Sequence, residues 1–392
     1  MWLLVVGAGI LRAAGFVYPF LPYRLTELHF STPSASLTLA LFGAGWLVGQ
    51  VLLGRAADAL GRRSTLVGAM LLAAIALPLL AQAATPLTVG AAAAVAGVVY
   101  DAPRPVISAV LADHVADDAT RTRINGWRHF AINIGAAATG AAGGLLAGTI
   151  GLAGLFWINA AACGAFALAV SRFLPADRPH SAALAGASSF HDALRDVRLG
   201  LLWLISLAAL IPVAGLFSIL PLLMTDAGLP VSAYGWTQVS SACAVLVLSM
   251  PINSWLARRA ARDASMVPLL AISALVLGVG IGTAGFADST LEYAAAACTG
   301  IPGEIVTFVA AAAILDRIAP AYARGLYAGI WGSTLAAAVI CAPLLAGWAL
   351  TEGGPKFVAL TTTICGLTGA ALCLPLAVLV RHAQPHPTLP QA

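Results

Sequence analysis

The sequence predicts an all-α polytopic membrane protein whose twelve transmembrane helices form two pseudo-symmetric six-helix bundles. Three observations predict it. Of 392 residues, 60% are hydrophobic and only 9% charged, where a soluble domain carries about 25% charged residues. Apolar runs such as 66–80, 87–99 and 204–223 lack the period-two alternation of an outer-membrane strand, and a spanning helix needs ~20 such residues. Basic residues also concentrate in alternate connections, and several motifs of the first half recur in the second.

The first apolar run covers 2–23 and contains Arg12. It begins like a signal peptide but has no basic n-region, and the apolar residues resume after Arg12, so it is expected to span. Runs 35–54 and 64–83 follow, joined by Gly54-Arg-Ala-Ala-Asp58-Ala-Leu-Gly61-Arg62-Arg63. The fourth run, 87–112, holds Asp101 and Arg104; the fifth, 127–149, is rich in glycine; the sixth, 152–174, carries Arg172 at its end. A polar connector of Ala, Asp, Arg, Pro, His and Ser, 175–199, lies at mid-chain and reads as a linker. Runs 200–223, 231–256, 265–286, 290–316, 325–349 and 356–380 complete the second half. The expected organisation is a bundle over 1–174, a cytoplasmic linker over 175–199, a bundle over 200–381 and a cytoplasmic tail over 382–392.

Orientation follows from arginine and lysine in the connections. Sixteen basic residues, from Arg55, Arg62 and Arg63 through Arg121, Arg195 and Arg258 to Arg324 and Arg381, fall beside alternate connections, against Arg24 and Lys356 on the other side. Both termini are therefore expected in the cytoplasm, with the chain in a bacterial-type cytoplasmic (inner or cell) membrane. A net charge of +4 gives no nucleic-acid signature. The six cysteines lie in apolar stretches, where Cys behaves as a small hydrophobe, and no metal or cofactor site is expected.

The repeat is specific. Asp101, Asp113, Arg121, Gly126 and Gly144 match Glu304, Asp316, Arg324, Gly329 and Gly347 at a constant offset, and Arg62 meets Arg262 in a worn copy of the 54–63 loop. Repeats on one side of the membrane require an even number of spans per half, as in many secondary transporters. The loop Gly54–Arg63 resembles the loop 2–3 signature of the major facilitator superfamily. Asn133-Ile-Gly135-Ala-Ala-Ala-Thr-Gly140-Ala-Ala-Gly143-Gly144 resembles the fifth-span motif of its drug/proton antiporter branch, with Gly140 where that motif has proline. Gly303-Glu304 and Ala319-Pro320…Arg324-Gly325-Leu-Tyr327 resemble the tenth and eleventh spans of the same branch.

Candidate site residues fall into four groups. Ionisable residues at membrane depth are costly to bury and are functional by default. Glu304 has no basic residue within a turn and is the first choice for proton coupling; Asp101, with Arg104 on its own face three residues on, is the second. Arg12, Tyr18, Tyr100, Arg104, Asn133, Phe217, Gln238 and Trp331 are candidates for the substrate cavity. Gly54, Asp58, Gly61, Arg62, Arg63 and Asp113, with Arg262 and Asp316 in the second half, are expected to latch a cytoplasmic gate, the two loop glycines permitting close helix approach. Gly135, Gly140, Gly143 and Gly144 are expected to let helices pack closely.

Neither Gly-x-x-x-x-Gly-Lys-Ser/Thr nor Gly-x-Ser-x-Gly occurs in the chain, so the expectation is a transporter driven by an ion or solute gradient and not an enzyme. The resemblance implies proton-coupled efflux of a lipophilic or amphiphilic small molecule by a rocker-switch monomer in the lipid bilayer. Uptake of a small metabolite, by facilitation or proton symport, is the alternative; a transport-inactive receptor or assembly protein is the second.

Overall fold

The computed structural model describes residues 2–100, 106, 107, 110, 118–175, 192–260, 262, 265–320 and 323–381. Asp101, Arg104 and Asp113 lie outside the described residues, as do linker positions 176–191 and the tail from 382, and the Asp58 side chain is not described either. Among the described residues all regular structure is helical.

Nine helices among the described residues are long and apolar enough to cross a membrane. Two of them, Asp118–Phe173 and Arg324–Arg381, each join two helices at a glycine, Gly151 (φ 73°) and Gly354 (φ 69°). L side chains rarely adopt that left-handed backbone, so the sequence places glycine at both turns. With the shorter Pro86–Tyr100, which runs into the undescribed stretch, the twelve expected runs are accounted for. Large apolar side chains such as Ile75, Leu168, Val247 and Leu374 are exposed, the kind of surface that a lipid phase covers.

Two expected spans differ from the sequence reading. Run 2–23 is broken into Trp2–Ala13 and Val17–Glu27, and run 200–223 into Val197–Gly215 and Ile219–Asp226. A break frees backbone groups that hydrocarbon cannot satisfy. Buried side chains from neighbouring spans satisfy them here. Thr139 Oγ1 donates to the Arg12 carbonyl, and the Val17 amide donates to Asn159 Oδ1 at 3.3 Å. At the second break, Gln238 Nε2 and the Tyr234 hydroxyl both donate to the Leu216 carbonyl at 3.0 Å. The breaks are thus fixed points of the structure.

Small residues bring spans together within and between the halves. Span one meets span five where Gly135 faces the Gly9 carbonyl, 2.5 Å from the position of an added Cβ. The halves meet along spans five and eight. There a Cβ on Gly140 would lie 2.6 Å from Gln238 Cβ and 2.8 Å from the Gly235 carbonyl, and Gly144 faces Ser232 and Gly235. They meet again along spans two and eleven, where Gly43 faces Ile340 and Gly347 faces Ser36. The loop glycines divide in role. Gly54 lies within the helix Thr32–Ala59 with nothing inside 4 Å of an added Cβ, so close approach does not require it. Gly61 makes the turn, at φ 97°.

Candidate substrate and proton site

The two helix breaks face each other across the halves. Arg12, at the end of the first half-helix, places its guanidinium 5.3 Å from the Phe217 ring centroid at the second break. Its Nη1 donates to the Tyr100 hydroxyl at 3.3 Å. A cation–π contact is worth about 0.5–2 kcal/mol, more as water is excluded. Tyr18, just beyond the first break, is stacked 5.3 Å from Phe42 and lies 5.5 Å from Phe217, 5.8 Å from Tyr100 and 6.1 Å from Trp46. Its hydroxyl is buried without a hydrogen-bond partner among the described residues. The structure therefore gathers Arg12, Tyr18, Tyr100 and Phe217 into one cluster and adds Phe42 and Trp46, which sit in an apolar run with nothing in sequence to distinguish them.

Glu304 lies on Thr290–Ile318, half-buried. It makes no hydrogen bond or ion pair with a described residue, and among the described residues the cation that acts on it electrostatically is Arg12. Its neighbour Gly303 keeps this turn close to span nine, where an added Cβ would come within 2.9 Å of the Ser273 carbonyl. A carboxyl without a described partner in the second half thus faces the field of an arginine in the first.

The remaining cavity candidates scatter. Asn133 is half-buried on span five. Gln238 is buried and committed to the Leu216 carbonyl and the Tyr234 hydroxyl, the latter at 2.7 Å. Trp331 donates its indole N–H to Ser206 at 2.9 Å, and Trp203 donates to Ser333 at 3.0 Å, so the pair fastens span seven to span eleven. Gly143 packs against Phe20 and Phe16. Sequence reasoning missed Asn159, Tyr234 and Thr139, whose polar groups serve the breaks.

At the end of the bundle that carries loop 2–3, Arg63 donates from Nη2 to the Ser171 carbonyl in the last turn of span six, where a cation meets the negative end of the helix dipole. That contact joins two spans of one half. Arg262 and Asp316 are both exposed and are not paired with each other. A different cluster occupies this end of the second half. Asp196 caps Val197–Gly215 by accepting the Arg198 amide at 2.9 Å, pairs with Arg198 Nη2 at 2.9 Å, and accepts the Tyr327 hydroxyl at 3.0 Å. Burial pushes the Asp196 carboxyl up, but the hydrogen bonds from Arg198 and Tyr327 outweigh it and hold the group below its ordinary 3.8. No group of His, Cys, Asp and Glu suited to a metal occurs among the described residues.

The model of the Major Facilitator Superfamily matches residues 1–276 and 202–392. A search of curated proteins gave no match. Among solved structures, the chain is similar to a variant of nucleoside transporter NupG at 16% identity, covering 96% of this chain and 99% of that one, with a TM-score of 0.75. It is also similar to a POT family transporter in complex with a thioalcohol-conjugated peptide (12% identity, 97% and 96% covered, TM-score 0.78). A variant of peptide transporter POT in complex with alafosfalin gives 14% identity, 96% and 95% covered, and a TM-score of 0.78. The chain belongs to the Major Facilitator Superfamily, and it is a multi-pass secondary transporter of that kind, not an enzyme.

Proposed function

We propose that this member of the superfamily couples proton entry to the export of a lipophilic or amphiphilic small molecule by rocker-switch alternating access. The observation that carries the reading is Glu304, an acid at mid-span with no hydrogen bond or ion pair to a described residue. A group left in that state can exchange a proton as the cavity turns from one side to the other, because its charge is not held by a fixed partner. Asp101 is its counterpart in the first half. The aromatic cluster around Tyr18 supplies an apolar wall, and the Arg12–Phe217 contact spans the two helix breaks.

Alternating access here takes residues 1–174 and 200–381 as the moving bundles, with the linker 175–199, the tail from 382 and both termini on the cytoplasmic side. Asp58, Arg62, Arg63 and Asp113 form the first-half gate at that side. Packing of span one on spans seven and eight, two on eleven and five on eight supports a form closed at the end that carries Tyr23. The monomer suffices, since cavity, proton site and gate all belong to one chain.

Purified protein in vesicles under an imposed pH gradient tests this. A panel of amphiphilic compounds should include one that moves uphill as protons move the opposite way. A panel in which no movement responds to the gradient would defeat the reading.

Arg12 favours a second reading, proton-linked uptake of a small anionic metabolite. An anion on Arg12 would bind best with Glu304 protonated, so solute and proton would travel together. The sign of the pH effect separates the two readings, and binding without any counterflow would indicate a transport-inactive receptor.

A further inference from the structure

At the bundle end that carries the turn at Gly228, a cavity of about 530 Å³ lies between the two halves. Its walls come from the end of span one (Tyr23, Thr26, Glu27), the end of span five, and the turn between spans seven and eight. The volume is that of a small-molecule site. None of its lining residues belongs to the Arg12–Glu304 site.

Three polar side chains of this wall, Thr26, Thr225 and Glu27, offer acceptors, beside the hydroxyls of Tyr23 and Ser232. Thr26 and Thr225 donate their hydroxyl hydrogens to the carbonyls of Pro22 (3.1 Å) and Leu222 (2.8 Å), which leaves their oxygen lone pairs for a ligand. Glu27 receives Arg24 Nη1 on Oε2 at 2.6 Å, and its Oε1 takes no hydrogen bond. Arg24, the cation beside it, is turned inward, with Nη2 on the Ala81 carbonyl at 3.3 Å. Tyr23 is 5% exposed, and its hydroxyl has no partner among the described residues. Between these groups the wall is apolar, with Leu152, Leu229 and Val231. A carboxylate, hydroxyl oxygens and a tyrosine ring suit a donor-rich cation; the apolar wall suits a hydrocarbon body.

The geometry points to a second binding site at this end of the transporter, one that takes an amphiphilic organic ammonium ion. The ammonium group meets Glu27, Thr26 and Thr225, and the hydrocarbon body lies along Leu152, Leu229 and Val231. Gly148 leaves the space open, since nothing lies within 4 Å of an added Cβ there.

The test is equilibrium binding of naphthylethylammonium to the full chain in detergent, read by naphthyl fluorescence, with naphthylethanol and naphthylacetate as neutral and anionic counterparts. The ammonium ion should bind at least about tenfold more tightly than either, since a hydrogen bond to a charged group is worth about 1.5–3 kcal/mol. Glu27→Gln should weaken it about tenfold and Arg24→Gln, which frees the second Glu27 oxygen, should tighten it. Gly148→Leu should fill the cavity and abolish binding, whereas Glu304→Gln should leave it unchanged. Equal affinity for the three probes, or an ammonium affinity indifferent to both Glu27→Gln and Arg24→Gln, would overturn the assignment. The Arg24→Gln gain cannot arise from misfolding, so it decides the matter if Gly148→Leu is unstable. Ammonium binding that persists in a protein whose transport ignores pH would defeat the proton reading alone.

Discussion

Among the described residues Glu304 is the acid that stands at mid-span without a partner, and the size of the effect of Glu304→Gln follows from the number of protons that acids of this kind carry. If one carboxyl carries one proton per cycle, a pH gradient of one unit supplies about 1.4 kcal/mol, enough to hold a solute at about tenfold accumulation. Should Asp101 carry a second proton, the same gradient would hold about a hundredfold. The assay is solute accumulation in vesicles with the membrane potential clamped, at imposed gradients of zero, one-half and one pH unit. Wild type should follow the one-proton or the two-proton slope. Glu304→Gln mimics the protonated acid, so the slope should drop by one proton: to no accumulation in the first case, to about tenfold in the second. Exchange of labelled for unlabelled solute without a gradient should persist, because exchange needs no change of protonation. An unchanged slope in Glu304→Gln would refute the role of Glu304 and transfer it to Asp101.

Other outcomes follow from the packing and the charges. Gly140→Leu should lower stability by about 1–3 kcal/mol and arrest transport, because its first carbon would meet the Gly235 carbonyl at 2.8 Å; Gly54→Ala, inside a helix with open space around it, should not lower a thermal melt and should raise it slightly, since alanine is the better helix former. Tyr327→Phe deletes one hydrogen bond to Asp196 and should cost about 1 kcal/mol at neutral pH. Because Asp196 stands below its ordinary 3.8 in the folded protein, its contribution is complete above that value and fades as pH falls through the lower native value. The gap between Tyr327→Phe and wild type should close in the same acidic window, and a gap constant with pH would mean that Tyr327 does not act through Asp196. In a cysteine-free background, a cysteine at Gly353 should react with an impermeant reagent added outside intact cells and one at Ser188 should not; the reverse pattern would invert the orientation.

Much of the fold was legible because its determinants are cumulative. Hydropathy sums over ~20 residues, so the runs survive any single substitution, and Gly151 and Gly354 recur at the repeat offset. The breaks were not legible for the same reason. A window that averages over a whole span cannot see three residues, and Gly15 or Phe217 carries no local signal among so many apolar neighbours. What makes each break stable comes from far along the chain: Asn159 reaches Val17 and Gln238 reaches Leu216. Such long-range pairing has no sequence period. The gate is a different case: Asp113 lies outside the described residues and the Asp58 side chain is not described, and the contacts described at that end, Arg63 with Ser171 and Asp196 with Tyr327, each lie within one half.

The breaks also explain why chemistry gathers where it does. A continuous helix offers hydrocarbon only side chains, since its backbone groups bond one another. Interrupting spans one and seven exposes carbonyls and an amide, and the polar side chains recruited to satisfy them, Thr139, Asn159, Gln238 and Tyr234, make the surrounding interior hospitable to charge. Arg12 stands at one break, and its contact with Phe217 crosses to the other. In the proposed rocking movement the two halves turn against each other across that contact. Arg12→Lys keeps the charge but loses the planar face that lies over Phe217. It should therefore preserve proton-coupled accumulation while changing the rate of the bundle movement. An Arg12→Lys protein that turned over at the wild-type rate would show that the Arg12–Phe217 contact does not govern the movement.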